Sequence, residues 1–384
     1  MTDAPAPPGR PDPPLPAMAL AEAGGPVAVA EQPAVTVYPV TFSGQAGEYF
    51  RIWIVNTALS VVTLGLYLPW ARVRQRQYLY GHTWLDGQNF EYTANPVALL
   101  RGYLIVGAFF LAYLITGNLE RLSWVAGSIA ALFFVLYPWL VMKSLRFLAV
   151  STMYRGLRFR HHGRAGGAYL TYGLANLAAV LTGGLALPWA WFMQRRYQVQ
   201  NAAYGNARMT FRGDVGGFYV IALTGVALAV GGAVLLAVPV IALVALLGDQ
   251  ADLDLAATLP PAVILGLGAA YLGFLLLYAV AWQYVRAATL RYVLNHVEVG
   301  GVVRTGATFS SARLTWIGVS NAAAQVLTLG LAVPWATIRR ARYIAAGVQV
   351  RAIASLDDFA ASQTPQEGAL GEAATELLDI NLGF

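Results

Sequence analysis

The chain has 384 residues, of which 58% are hydrophobic and only 11% are charged, and its formal net charge is +6. Soluble domains carry about 25% charged residues, so this composition excludes an ordinary soluble protein and predicts a polytopic membrane protein. The sequence contains no cysteine, which excludes disulfides, thiolate metal sites and cysteine nucleophiles.

The chain begins with a segment that is rich in proline and alanine. This composition predicts a disordered tail over 1–40, because such a segment has too little apolar surface to build a core. The tail lacks the basic region followed by an apolar region that is typical of a secretory signal. We therefore expect the first apolar segment to direct membrane insertion without being cleaved.

Seven apolar segments follow the tail. They cover approximately residues 50–70, 97–117, 122–142, 167–190, 218–247, 259–285 and 314–336. A helix that crosses a membrane needs roughly 20 such residues. Short polar links join the second segment to the third and the fifth to the sixth, which predicts helical hairpins at about 97–142 and 218–285.

The first, fourth and seventh segments share a motif that we call the box. Each box begins with threonine, contains glycine and ends with Pro-Trp-Ala, at 63–71, 182–190 and 328–336. The prolines and tryptophans are Pro69 and Trp70, Pro188 and Trp189, and Pro334 and Trp335. A tyrosine follows each proline by nine positions, and an asparagine precedes it by twelve or thirteen. Repeat units at about 42–93, 157–212 and 308–351 predict one membrane module used three times.

Two topologies are compatible with the boxes. If all seven segments cross the membrane, the basic residues divide almost evenly between the two sides, against the positive-inside bias. If the box segments enter and leave on one face, only Arg121 lies outside, and the acidic link 248–259 joins it. Glycine and proline loosen a helix and suit such a re-entrant segment. Alternatively, each box segment crosses, and Pro-Trp-Ala marks its exit at the membrane interface.

Short alternating stretches bounded by glycine lie between the apolar segments and predict five or six β-strands. They lie near 35–43, 88–93, 156–160, 208–212, 297–304 and 347–351. We therefore expect an all-α polytopic membrane protein with seven apolar segments and a three-fold internal repeat, plus short β-strands in the polar linkers. The membrane domain would cover 41–353. An acidic C-terminal tail follows at 354–384. Residues 366–378 could form a short amphipathic helix that docks on the basic face or on a partner; the alternative is a solvated, disordered tail.

Several motifs resemble those of one known family. Glu48-Tyr-Phe-Arg-Ile-Trp-Ile-Val-Asn56, the first box, Tyr78-Leu-Tyr-Gly81-His-Thr, the third box and Leu378-Asp-Ile-Asn-Leu-Gly-Phe384 are similar to the YjgN family, also called DUF898. The resemblance covers about 40–384. It implies a multi-pass bacterial inner-membrane protein of unknown function and brings no catalytic residues. The second box departs from the pattern, with Thr182-Gly-Gly in place of Thr-Leu-Gly.

Three asparagines, Asn56, Asn176 and Asn321, lie inside the box segments. Their amides could converge on a polar pocket or pore. Alternatively, each amide makes an interhelical hydrogen bond, which is worth roughly 0.6–2 kcal/mol in membranes.

Arginines follow each box. They are Arg74, Arg76, Arg195, Arg196, Arg339 and Arg340. They could bind the phosphate of a lipid or nucleotide, because a guanidinium group matches phosphate oxygens bidentately. The alternative is a general anchor on anionic headgroups. We expect anionic membrane lipids as partners. We do not expect nucleic acid, because the arginines are spread over many short loops. The sequence does not identify a protein partner.

Catalytic and metal-binding patterns are not evident. His82, His161, His162 and His296 fall in polar linkers without metal-site spacing, which favours a structural use. Without a phosphate-binding glycine loop, a Ser/His/Asp set or paired carboxylates, we expect neither an enzyme nor a cofactor. The apolar segments carry almost no ionisable groups, which argues against an ion-driven pump. Passive transport or lipid handling is the first functional hypothesis, and a membrane scaffold that binds a partner is the alternative.

Overall fold

A computed structural model describes residues 35–248 and 261–363. Most of the predicted N-terminal tail, the acidic link between the fifth and sixth apolar segments, and the predicted helix at 366–378 lie outside the described residues. The first strand begins at Thr36, inside the range predicted for the tail.

The described residues contain ten short β-strands. They are β1 (Thr36–Phe42), β2 (Thr83–Leu85), β3 (Gln88–Tyr92), β4 (Thr152–Tyr154), β5 (Leu157–His161), β6 (Ala202–Tyr204), β7 (Ala207–Phe211), β8 (Val297–Val299), β9 (Val303–Ala307) and β10 (Val348–Ala352). Each strand pairs antiparallel with the next in chain order, and β1 pairs with β10, with Thr36 opposite Ala352. The strands therefore form a closed barrel with no free edge.

Tight turns join alternate strand pairs at one end of this barrel. The β2–β3 turn at Asp86 and Gly87 and the β4–β5 turn at Arg155 and Gly156 have positive φ angles, between 48° and 75°, at both positions. Positive φ at both central residues is the signature of the two-residue turn whose twist matches antiparallel strands. These turns fix the register of strands that are only three to five residues long.

Helical hairpins join the remaining strand pairs at the opposite end. Their helices are α1 (Ala46–Val62) and α2 (Leu68–Gly81), α3 (Pro96–Gly117) and α4 (Ser123–Val150), α5 (Ala165–Leu181) and α6 (Leu187–Gln200), α7 (Val215–Gly248) and α8 (Pro261–Asn295), and α9 (Ser311–Leu327) and α10 (Val333–Ala346). Part of α5 is a π-helix, over Tyr169–Leu174. Every hairpin leaves one strand and returns to the next, so all five begin and end on one face of the barrel.

The hairpins pack side by side in the order of the strands. Contacts join α2 to α3, α4 to α5, α6 to α7, α8 to α9, and α10 back to α1. The helices therefore form a closed ring on the same axis as the barrel. The three box hairpins are the first, third and fifth members of this ring.

A final short helix covers the other end of the barrel. The helix α11 (Leu356–Ser362) follows β10 directly. Leu356 is 4% exposed and joins an apolar cluster with Tyr154, Tyr204 and Val350 from the strands. The ring of Phe359 stacks on that of Tyr204, with the ring centroids 6.3 Å apart. The barrel interior at this end is therefore filled by side chains.

The prediction of an all-α fold with seven apolar segments and strands confined to linkers was wrong. The closed ten-stranded barrel overturns it, and only four described helices are long and apolar enough to cross a membrane. These are Pro96–Gly117, Glu120–Val150, Val215–Ala242 and Ile264–Asn295. The three box segments are each broken by a turn. The predicted three-fold repeat also does not describe the whole fold. The two long hairpins connect successive strands in the same way as the three box hairpins, so the described fold has five such units.

Candidate functional site

Each box forms the turn at the tip of a helical hairpin. In the first box, α1 ends because Leu64 and Gly65 adopt φ angles of 50° and 91°, and the Gly65 N–H donates to the carbonyl of Ser60 over 2.7 Å. This geometry is a left-handed helix cap. The Thr63 hydroxyl donates to the carbonyl of Leu59 and accepts from the N–H of Tyr67, which starts the return helix. The hairpin therefore returns the chain to the face of the barrel from which it left.

The second and third boxes repeat this turn. The hydroxyls of Thr182 and Thr328 make the same pair of hydrogen bonds. The positive φ angle carried by Leu64 and Leu329 falls on Gly183 in the second box. The departure of that box from the pattern therefore places glycine where a left-handed backbone favours it.

The tips of the box hairpins are apolar and exposed. Leu64 and Leu329 are both 95% exposed. Exposed apolar patches of this kind are found where a protein meets a membrane or a partner.

The tyrosine nine positions after each box proline ties the two ends of its hairpin together. The Tyr78 hydroxyl accepts from the N–H of Gln45 over 2.8 Å and lies 3.0 Å from its carbonyl. Tyr343 makes the corresponding contacts with Ser310, and the Tyr197 hydroxyl donates to the carbonyl of Arg164. The periodic tyrosine is therefore structural.

The box asparagines lie between the two helices of their own hairpins. Asn321 is 5% exposed; its amide nitrogen donates to the carbonyl of Ala336, and its amide oxygen accepts from Arg339, both over 2.9 Å. The amide oxygen of Asn176 accepts from Gln194 over 2.9 Å. These hydrogen bonds stay within single hairpins and do not bring the amides to one pore.

Asn56 differs from these two asparagines. It is 6% exposed, and its amide oxygen has no hydrogen-bond partner among the described residues. Gln75, which occupies the place of Gln194, instead bonds the hydroxyl of Tyr49, whose pKa burial raises to about 12. A cavity of about 400 Å³ lies beside Asn56 inside the first hairpin.

The six box arginines do not form one cluster. They lie on the return helices of three different hairpins, as the chain order dictates. Arg74 lies over the ring of Tyr67, and Arg76 donates to the hydroxyl of Tyr92 over 2.8 Å. Arg195 and Arg196 each donate to a glutamine on their own helix, Gln198 and Gln200 respectively. Side-chain packing therefore holds each of these four guanidinium groups in place.

Arg195 and Arg340 lie in strongly basic surroundings. Burial lowers the pKa of both guanidinium groups, and the positive charge of Arg286 on α8 lowers them further. Like charges held together in this way favour binding of an anion nearby.

A groove lies between the fifth hairpin, which supplies most of its lining, and Ala46 of the first. It has a volume of about 790 Å³. Its basic and aromatic lining consists of Arg313, Trp316, Trp335, Arg339, Arg342 and Tyr343. Arg339 lies over the ring of Trp335, 5.0 Å from its centroid. In the described part of the chain, no carboxylate lies within ion-pair distance of Arg313, Arg339 or Arg342.

The box pattern singled out Trp335 and Arg339, which both line this groove, but not Arg313, Trp316 or Arg342. A signal was available for one of them. Arg342 directly precedes the box tyrosine Tyr343, and an arginine also precedes Tyr197 and Tyr292. Arg313 and Trp316 lie on the first helix of the hairpin, outside the box, and only packing brings them to the groove.

The histidines lie at the ends of helices and strands. The ring nitrogens of His82 and His296 lie 2.7 Å from the carbonyls of Tyr78 and Tyr292, each four residues earlier. His161 is buried, and burial followed by the charge of Arg146 lowers its pKa to about 4. Within 35–248 and 261–363, His, Asp and Glu side chains form no group of three arranged to hold a metal ion.

Taken together, the apolar helices, the exposed box tips and the basic groove define a multi-span membrane protein in which a helical ring surmounts a small β-barrel. The chain belongs to the family described as bacterial protein of unknown function, DUF898, whose model matches residues 37–377. The predicted family is thereby confirmed, and the protein is a multi-pass protein of the bacterial inner membrane.

Curated relatives carry the same description of location. The chain is 32% identical over 124 residues to inner membrane protein YjgN of Salmonella typhimurium (strain LT2), covering 32% of this chain and 31% of that protein. It is 31% identical over 147 residues to inner membrane protein YjgN of Escherichia coli (strain K12), covering 38% and 37% respectively. The matched region thus spans about a third of these relatives' length. No solved structure matches the chain significantly.

Proposed function

We propose that this protein handles anionic phospholipid, and that the groove between the fifth and first hairpins binds the phosphate of the headgroup. The observation that carries the proposal is the convergence of Arg313, Arg339 and Arg342 with Trp316 and Trp335 on one groove. The proposal involves no catalytic step and no cofactor.

The chemistry of the groove suits a lipid at the membrane interface. Guanidinium groups form paired hydrogen bonds with phosphate oxygens, and tryptophan favours the headgroup level of a bilayer. Arg339 is already held by Ser320 and Asn321, with donor–acceptor distances of 2.8 and 2.9 Å. A cation fixed before the ligand arrives loses little conformational freedom on binding.

Lateral access suits the groove better than a path along the barrel axis. The barrel is filled by Tyr154, Tyr204 and Val350 and covered by Leu356 of α11. A solute moving along the axis would have to displace these side chains. The hypothesis of passive transport therefore receives less support than lipid binding from the side.

A membrane scaffold is the second candidate function. The filled barrel and the closed ring of hairpins favour it, because a rigid assembly with no axial path suits a protein that binds a partner. In that case the basic groove anchors the protein on lipid without selecting a ligand.

Lipid binding can be tested by native mass spectrometry of the purified protein with defined phospholipids. We expect anionic phosphatidylglycerol to be retained in preference to zwitterionic phosphatidylcholine, and Arg313→Gln to weaken this retention. The matched control is Arg51→Gln, which removes the same charge from an exposed position on α1 outside the groove. Equal retention of the two lipids, or equal losses in both variants, contradicts the proposed site and favours the scaffold.

A further inference from the structure

The first box hairpin differs from the other two in the hydrogen bonding of its asparagine amide. In the third and fifth hairpins, a donor on the return helix satisfies the oxygen of the asparagine amide: Gln194 for Asn176 and Arg339 for Asn321. In the first hairpin, Gln75 bonds Tyr49 and Arg74 lies over Tyr67. Both return-helix candidates are therefore engaged elsewhere.

The consequence is a buried acceptor without a partner. Asn56 is only 6% exposed, and its amide oxygen has no partner in the described part of the chain. Leaving a buried acceptor unpaired is unfavourable, so such a group calls for a donor. The cavity of about 400 Å³ beside it is large enough to admit one.

The remaining polar lining identifies the chemistry of that donor. It consists of Thr57, Ser60, Gln75 and Arg72. The first three are neutral and exchange hydrogen bonds with hydroxyl groups. Arg72 adds a positive charge that attracts a phosphate and disfavours an ammonium group. It lies over the ring of Tyr103 on α3, 5.4 Å from the centroid.

The position of the cavity identifies the source of the ligand. Val61, Gly65 and Leu68 line its rim, and these belong to or adjoin the apolar hairpin tip. Val61 is 69% exposed, as expected for a side chain that meets acyl chains. A phospholipid would place its tails at this rim and its headgroup against the polar lining.

We infer that the cavity inside the first box hairpin binds an anionic phospholipid whose headgroup carries free hydroxyl groups, with a hydroxyl donating to the amide oxygen of Asn56 and the phosphate on Arg72. This site is separate from the groove between the fifth and first hairpins. It would give the protein a preference among anionic lipids that charge alone does not provide.

The test compares three lipids by native mass spectrometry of the full chain. The lipids are phosphatidylglycerol, which has hydroxyl groups on its headgroup, phosphatidic acid, which has none, and phosphatidylethanolamine, which has an ammonium. We expect phosphatidylglycerol to bind about tenfold more tightly than the other two, since one hydrogen bond to a buried acceptor is worth about that factor. Asn56→Leu should abolish the preference over phosphatidic acid, whereas the arginines of the groove keep part of the preference over zwitterionic phosphatidylethanolamine.

The matched control is Asn176→Leu, in the third hairpin and outside both proposed sites. That substitution removes the partners of Gln194 and of the Tyr172 carbonyl and should lower the thermal unfolding midpoint, yet keep the preference for phosphatidylglycerol. Asn56→Leu removes an acceptor that is unpaired, so it should keep the unfolding midpoint. This contrast separates a loss of binding from a loss of folding.

Three results overturn the inference. They are no preference in the unaltered protein, an unchanged preference in Asn56→Leu, and displacement of the lipid by free glycerol phosphate, which would indicate a soluble ligand. An altered preference in Arg313→Gln with none in Asn56→Leu assigns the selectivity to the groove between the hairpins. The proposal for the cavity and the proposal for the groove can therefore be disproved separately.

Discussion

The guanidinium group of Arg342 donates a 3.1 Å hydrogen bond to the backbone carbonyl of Gly44, which lies 298 positions earlier in the chain. Gly44 directly precedes the first hairpin, and Arg342 lies on the return helix of the fifth. The same contact recurs between Arg146 and Gly163, over 2.8 Å, where the second hairpin meets the third. One type of inter-hairpin contact therefore both links neighbours and closes the ring.

Removing this closure should destabilise the protein. Arg342→Met keeps most of the side chain but loses the donor, and a hydrogen bond from a charged group contributes roughly 1.5–3 kcal/mol. We expect a lower thermal unfolding midpoint in detergent. Arg146→Met is the control: it should lower the midpoint similarly but keep lipid retention, because Arg146 is outside the groove. An unchanged midpoint in Arg342→Met would show that the ring closes without this contact.

The hydroxyl of Tyr78 should contribute to stability through the backbone of Gln45 and the carboxylate of Glu48. Tyr78→Phe keeps the ring and removes these contacts, which should lower the free energy of unfolding by about 1–2 kcal/mol. The second hairpin shows that the ring alone is compatible with folding, because Phe147 stands three residues before the end of α4, as Tyr78 does in α2. Thermal unfolding measures the change, and a loss much larger than this would indicate that packing of the ring was also disturbed.

The turn of the first box depends on glycine at position 65. Its φ angle of 91° is unfavourable for a residue with a side chain, so Gly65→Ala should lower the free energy of unfolding by about 1–3 kcal/mol. The control is Gly47→Ala, since Gly47 lies in α1 and an added Cβ there meets nothing within 4 Å. The control should be neutral or slightly stabilising. Equal effects in the two variants would contradict the assigned turn.

Stability should fall in mild acid because of His161. Its pKa is lowered from 6.5 to about 4, so between these values the unfolded chain binds a proton that the folded protein does not. As the pH falls from about 6.5 to 4, the free energy of unfolding should therefore fall by up to roughly 3 kcal/mol. His161→Gln should flatten this part of the unfolding profile, whereas His162→Gln, at an exposed position, should change it less. A profile that keeps its slope in His161→Gln assigns the acid sensitivity to another group.

The sequence predicts the membrane location, because long apolar runs depend on composition alone. It also indicates most of the five-residue strands through their alternation. The three-residue strands β2, β4 and β6 are too short to show a period of two. Their partners are also separated by whole helical hairpins, so closure of the barrel depends on contacts that local patterns do not encode.

The candidate site also has a part that the sequence indicates and a part that only packing determines. The repeated asparagine, arginine and tryptophan positions mark residues that matter within each hairpin. The arginines and tryptophans of the groove, however, come from both helices of the fifth hairpin, so the lining depends on how those two helices pack. Likewise, the difference between Asn56 and Asn321 arises from which side chain on the return helix is already engaged, for example by Tyr49.

The central claim is that every hairpin, including those with boxes, begins and ends on one side of the membrane. Because the chain lacks cysteine, single substitutions can be labelled in intact cells with a membrane-impermeant maleimide. His162→Cys and Gln200→Cys flank the third hairpin at exposed positions, and Asn118→Cys lies at the far tip of the second. We predict labelling at 118 and protection at both 162 and 200. Labelling at only one of the two flanking positions would contradict the account, because the box segment would then cross the membrane.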